Sequence, residues 1–169
     1  ATAAVETVAD TPTFPNLPAL KSEDLSASWR GDNPILCIAG RSALDEAAAI
    51  LFAQLSLAHG LKCKIENPSA LSSASNLRLE TGGVALVCLA YLDTTSTAHI
   101  RYSVQRVRRK LPNAAILLGC WSSDISTEQS EQLRATAKAD YAASSLRDAV
   151  QICRSASTSE SLAKSSSVN

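Results

Sequence analysis

The chain has 169 residues, 46% of them hydrophobic, enough for one core and therefore for one domain. Sixteen basic side chains balance sixteen acidic ones, so no overall field draws the chain to nucleic acid or to an anionic membrane surface. No apolar run approaches the roughly 18 residues of a membrane helix, and Glu6 and Asp10 interrupt the opening stretch where a secretory h-region would lie. The absence of any Met, with Ala1 at the start, reads as processing or as excision from a longer protein.

Residues 1–33 carry Pro12, Pro15 and Pro18 outside any periodic pattern and read as a Pro/Ser/Thr-rich linker, although Phe14, Leu17, Leu20 and Trp29 give it apolar points that can dock. From Pro34 a unit recurs in which a short apolar run leads through a turn into a helix. The runs are 35–39, 61–65, 84–89, 115–119 and the weaker 141–143. The first helix is expected over 42–58, with Ser42 as N-cap, Asp45 as the acid of a capping box and Gly60 as its stop. A poor, Ser-rich second helix is expected over 68–79. A third over 97–111 places Ile100, Val104, Val107 and Leu111 on one face and stops before Pro112. Two more are expected over 126–139, opened by Ser126 and Gln129, and 145–155, opened by Ser145 and Asp148. Five strands alternating with helices predict a doubly wound α/β domain over 34–154, its five-stranded parallel sheet in the flavodoxin-like order 2-1-3-4-5. Residues 155–169, rich in Ser, are expected to be a disordered tail.

In such sheets ligands bind beyond the carboxyl ends of the strands, where neighbouring connections diverge. The loops meeting there supply Gly40, Arg41, Ser42, Tyr91, Asp93, Gly119 and Trp121, candidates for binding a small anionic ligand. A phosphate-binding GxGxxG or GxxxxGK[ST] loop needs more glycines than Gly40 at the end of the first strand. The acidic pair and the Lys of a phospho-acceptor receiver domain are replaced by Gly40-Arg41 and Ser144-Ser145, leaving only Asp93. His59 and His99 have no nucleophile matched to them in the sequence, so no catalytic residue, and no enzyme, is expected. Cys37, Cys63, Cys88, Cys120 and Cys153 show no CxxC pair and no metal-ligand spacing. They are expected to be inert reduced thiols, with Cys120 the one to reach solvent, and no metal or cofactor is expected. On the first helix Phe52 falls on the same side as Asp45, Ser56 and His59, which predicts an exposed Phe at an interface. On the third, Arg106, Arg108 and Arg109 concentrate charge in the last turns, as a solvated end or a second interaction surface.

Several segments together resemble the soluble C-terminal domain that follows the membrane portion of some alphaproteobacterial permeases of the autoinducer-2 exporter-like family. They are Ile35 to Arg41, Leu44 to Ala49, Val87 to Asp93, Arg101-Tyr102 with Arg106 to Pro112, and Ala139 to Tyr141. The resemblance covers about residues 34–154. It implies a non-catalytic regulatory or sensory domain, cytoplasmic and tethered to the inner membrane, partnered by the membrane-embedded part of the same chain. A homo-oligomer is the other partner considered, and no nucleic acid is expected. More distantly the pattern is similar to cobalamin-binding domains, which carry Asp-x-His-x-x-Gly after strand one, Ser-x-Leu after strand three and Gly-Gly after strand four. Here those places read Gly40 to Asp45 without His, Ala90-Tyr91-Leu92 and Gly119-Cys120. The alternative reading is a stand-alone small-molecule or cofactor-binding module of that type without the axial His.

Overall fold

A computed structural model describes residues 17–72, 83–93 and 96–166. The expected linker residues 1–16, the later part of the expected second helix, Thr94, Thr95 and residues 167–169 lie outside the described residues.

Five strands, β1 (Ile35–Ala39), β2 (Cys63–Glu66), β3 (Leu86–Tyr91), β4 (Ala115–Cys120) and β5 (Tyr141–Ala143), form one sheet in the order β2-β1-β3-β4-β5. Every neighbouring pair is parallel, with Cys37 opposite Ile65 and Cys88, and Tyr91 opposite Cys120. The order and the class are those the sequence predicts. β1 and β3 are buried along their whole length, as central parallel strands covered on both faces must be.

The helices are α1 (Ala43–Ala58), α2 (Thr97–Lys110), α3 (Thr127–Ala137) and α4 (Leu146–Ser166). Ile100, Val104 and Val107 of α2 and Ala137 at the end of α3 pack on Leu36, Ile38, Val87, Leu89, Ile116 and Leu118. On the other face, Ala49 and Phe52 of α1 and Ala149, Val150 and Cys153 of α4 pack on Ile35, Cys37, Leu86, Cys88 and Leu117. β1, β3 and β4 thus split their side chains between two core layers by the strand's period of two. All three expected N-caps form: Ser42 accepts from the Asp45 amide, Ser126 from Gln129 and Ser145 from Asp148. Of the second expected helix, Pro68–Leu71 form one 3-10 turn.

Five expectations need correction. Phe52 is fully buried, at 0% exposure, so it is a core residue and not an interface residue. The polar residues expected to mark the outer side of α1 are themselves buried: Asp45 is hydrogen-bonded to loop amides, and His59 is paired with Arg154. Residues 17–33 are also no free tether, because two 3-10 turns fold Leu25 and Trp29 into the α1/α4 core layer. The Leu20 amide donates to the His59 carbonyl (2.9 Å), and Arg154 Nη1 donates to the Pro18 carbonyl (3.1 Å). A side chain at Gly60, whose φ is +81°, would collide with the Leu20 carbonyl.

The Ser-rich end, in turn, continues α4 to Ser166. Ser157 and Thr158 turn their hydroxyls back to the Arg154 carbonyl (2.8 and 3.1 Å), which removes the polar cost of burying Ser157, and the Ser157 carbonyl accepts from the Ser26 amide (2.8 Å). Finally, Cys120 is buried and Cys63, on edge strand β2, is the partly exposed thiol. Burial pushes the Cys120 thiol up to about 11.

Truncating Phe52 to Ala should cost about 3–5 kcal/mol, read as a lower midpoint in chemical denaturation. Stability should also depend on pH through His59. Burial, then the Arg154 charge, holds its imidazole below the ordinary value, and Arg154 donates to Nδ1 (3.1 Å), which needs the neutral ring. The unfolded chain therefore binds this proton more readily. The contribution is complete above the ordinary imidazole pKa of about 6.5 and is lost as pH falls through the folded value. Melting temperature should drop from about pH 7 to pH 5, and His59→Gln should flatten that slope in part, since His99 is lowered too.

Candidate functional site at the carboxyl ends of the strands

β1 and β3 are neighbours whose following helices leave toward opposite faces, so the rim between them is the divergence point of the sheet. It is closed by one carboxylate. Asp45, in the first turn of α1, sits 3% exposed, and its Oδ2 accepts from the Ser42 amide (3.2 Å). Its Oδ1 accepts from the amides of Leu92 (2.8 Å) and Asp93 (3.0 Å). The Gly40 amide donates to the Ala90 carbonyl (3.0 Å), bringing the two loops into contact, and any side chain at Gly40 would strike the Asp45 carboxylate and the Tyr91 ring. The amides of Ser42, Leu92 and Asp93, the donors an anion would use here, are already satisfied from within the chain. An anion held by the start of α1, as the sequence suggests, would have to displace this carboxylate; exposed Arg41 remains the cation of the loop.

The seven candidate residues are not one pocket. Gly40, Ser42, Tyr91 and Asp93 gather around Asp45, with the Tyr91 ring entering the α2/α3 core layer. Gly119 and Trp121 belong to the other face, where the indole lies over Gly119 and stacks on Phe52 at 5.8 Å and 29°. Tyr91 and Trp121 thus cannot stack on the same flat ligand. Burial pushes the Tyr91 phenol up to about 12, against the opposing pull of its Ser103 hydrogen bond, so at neutral pH it carries its proton. Of the basic candidates on α2, Arg108 is used internally, bonding the carbonyls of Ala114 and Lys138 and the Asp140 carboxylate (2.8 Å). Arg106 lies over the Tyr102 ring, 5.0 Å from its centroid, with Nε donating to the phenol oxygen. Arg109 is exposed.

What the rim does offer is a cleft of about 230 Å³ on the α2/α3 side, beyond the ends of β3 and β4. Tyr91, Ile100, Ile125 and Leu133 give it an apolar floor, and Asp93, Thr97, Asp124 and Gln129 give it polar groups. Thr97, Asp124 and Gln129 escape sequence reasoning because they sit one turn or loop past the strand ends, and only the topology says those turns face one another. His99 is a second addition. The Ser96 cap places it in the first turn of α2, where its ring meets Tyr91 edge-on at 6.3 Å. Burial, and then Arg41, lowers its pKa, so at neutral pH it is uncharged. Among the described residues no group of three or more His, Cys, Asp or Glu could hold a metal ion.

Asp45→Ala should cost about 2–4 kcal/mol, because three amides lose a charged acceptor. Its amide signature should be local: exchange at 42, 92 and 93 should accelerate more than at β1 or β3, measured by hydrogen–deuterium exchange.

No family model and no curated protein matches the chain. Among solved structures, the chain is similar to a 1.5 Å crystal structure described as a novel cobalamin-binding protein from Desulfitobacterium hafniense DCB-2. The TM-score is 0.55 at 16% identity, over 73% of this chain and 58% of that one, so the likeness is one of fold, and the chain spans less than two thirds of that protein. The rim residues do not fit a cobalamin. The space over Gly119 is filled by Trp121, the space over Gly40 by Asp45 and Tyr91, and the 230 Å³ cleft lies below the roughly 300 Å³ at which pockets for drug-sized ligands begin, far short of a corrin ring with its side chains. The purified protein mixed with methyl- or adenosylcobalamin should therefore be colourless after desalting, and retention of a near-stoichiometric red chromophore would refute this.

Proposed function

We propose that this chain is a non-catalytic, ligand-responsive domain that takes a small donor-bearing or cationic molecule into the cleft between β3, β4, α2 and α3. The observation that carries this reading is the lining: two carboxylates, Asp93 and Asp124, above an apolar floor at the divergence end of the sheet. Carboxylates accept hydrogen bonds and attract positive charge, while the amides suited to an anion are taken by Asp45. The cleft size suits a metabolite of amino-acid or small-amine dimensions. Burial keeps the proton on Tyr91, which gives the cleft wall a hydrogen-bonding hydroxyl beside the two carboxylates.

The resemblance to the C-terminal domains of autoinducer-2 exporter-like permeases supports a regulatory role beside a membrane transporter, on its cytoplasmic side. Among the described residues no helix is long and apolar enough to cross a membrane. In that role the transporter part would come from elsewhere in the parent chain, and its reading frame should encode several apolar segments of about 20 residues upstream.

Titration with a panel of small amines and amino acids should shift amide resonances at 91–93, 97 and 124–129. Asp93→Asn and Asp124→Asn should each weaken the response about tenfold. Shifts confined to 40–44 with phosphate-bearing compounds would favour the anion reading instead. Shifts confined to 106–110 would make the basic end of α2 the working surface.

A further inference from the structure

α1 is apolar on both sides. Its buried face carries Ala48, Ala49 and Phe52, yet its solvent face leaves Leu44 54%, Ile50 47%, Leu51 51% and Leu57 62% exposed, with Ala43, Ala47, Gln54 and Ala58 exposed among them. At 100° per residue these eight positions form a stripe about 140° wide running the length of the helix, with Glu46 as the charged residue at its margin. The outer surfaces of α2 and α3 are different: Arg101, Gln105 and Arg109 on one, and Glu128, Glu131 and Gln132 on the other, face solvent. A helix apolar all round is normally covered on both sides. On edge strand β2, Ile65 lies on the α1 side of the sheet and is 38% exposed, adding to the apolar surface.

The order of residues in the stripe suits a second copy of the same helix. Reversed end for end about the bond between Ile50 and Leu51, it maps onto itself: Ala43 onto Ala58, Leu44 onto Leu57, Ala47 onto Gln54 and Ile50 onto Leu51. An antiparallel pair about a two-fold axis at that bond sets each position against its mirror position on the other copy, so here Leu44 meets Leu57, Ile50 meets Leu51 and no bulky apolar side chain is set against a charge. Charge favours the same occupant. Near the axis a residue faces its own equivalent, so any charge there would repel itself, and the axial positions Ile50 and Leu51 are neutral. A membrane surface would call for Lys or Arg along the stripe's margins, and α1 contains neither.

We infer that α1 is the contact of an isologous homodimer, packed antiparallel against α1 of a second copy. One helix face is smaller than the roughly 800 Å² per partner of a standard interface, so the dimer is a weak, concentration-dependent one.

Sedimentation of the chain from micromolar to millimolar concentration should show its average mass rising toward that of two chains. Leu51→Lys puts two charges at the axis and should hold the protein monomeric while its melting temperature stays near that of the wild type, since the side chain is half exposed. Leu44→Glu and Leu57→Lys should each weaken association. The variant carrying both changes sets the new carboxylate of each copy against the new ammonium of the other, twice across the axis, and should associate more strongly than either single variant. A wild type that stays monomeric throughout would overturn the inference. So would a dimer that persists in a folded Leu51→Lys variant, or a double variant no stronger than the singles.

Discussion

A single buried carboxylate sets the geometry of the functional end of this fold. Asp45 lies one turn into α1, but two of its three amide partners belong to the loop after β3, so it ties the outgoing connections of neighbouring strands to each other. In a doubly wound sheet that point is a natural crevice, because the two chains part there. Here the crevice is stitched shut. Gly40 must lack a side chain, Tyr91 is drawn inward beside the carboxylate, and the open volume moves to the next gap, between β3 and β4. The place of Asp93 at the cleft's edge follows from where Asp45 directs its hydrogen bonds.

The strands and their order were legible because a strand buried on both faces has to be continuously apolar, and 35–39, 84–89 and 115–119 announce that without help from context. Helix starts were legible for a similar reason, the caps being local chemistry within four residues. Long-range partners were not. Asp45 reads as a capping acid, which it is, but nothing near it in sequence shows that Leu92 and Asp93 will arrive with their amides. The same gap explains the inverted reading of α1. Polar residues at 45, 56 and 59 ordinarily mark a solvent face, yet Asp45 and His59 are buried because partners from distant loops and from α4 meet them, and Phe52 goes in with them. At the candidate site, Tyr91 and Asp93 could be placed on the rim from topology, whereas assigning Tyr91 and Trp121 to opposite faces needed the register. Trp29 stands out in the Pro-rich stretch as the docking residue it is, whereas composition hides Leu25 there and Ser157 in the Ser-rich stretch.

The α1/α4 layer also gathers thiols. Cys37 lies opposite Cys88 in the sheet, with Cys63 on the adjoining strand and Cys153 on α4 packed over them. Burial and mutual proximity raise them above the ordinary thiol range and so keep their protons on. They act as small hydrophobes, which is consistent with central strands that need narrow side chains where two helices press on one sheet face.

The docking of residues 17–33 changes what the domain is as a portable unit. A boundary drawn at Pro34, where the sheet begins, would strip Leu25 and Trp29 from the α1/α4 layer and leave His59 and Arg154 without the backbone groups they hold at Leu20 and Pro18. Any grafting of this fold onto another protein has to carry that segment along. A neighbour joined upstream would pull on the far ends of α1 and α4 instead of on a slack leash, so mechanical load would enter the domain at the end opposite its cleft.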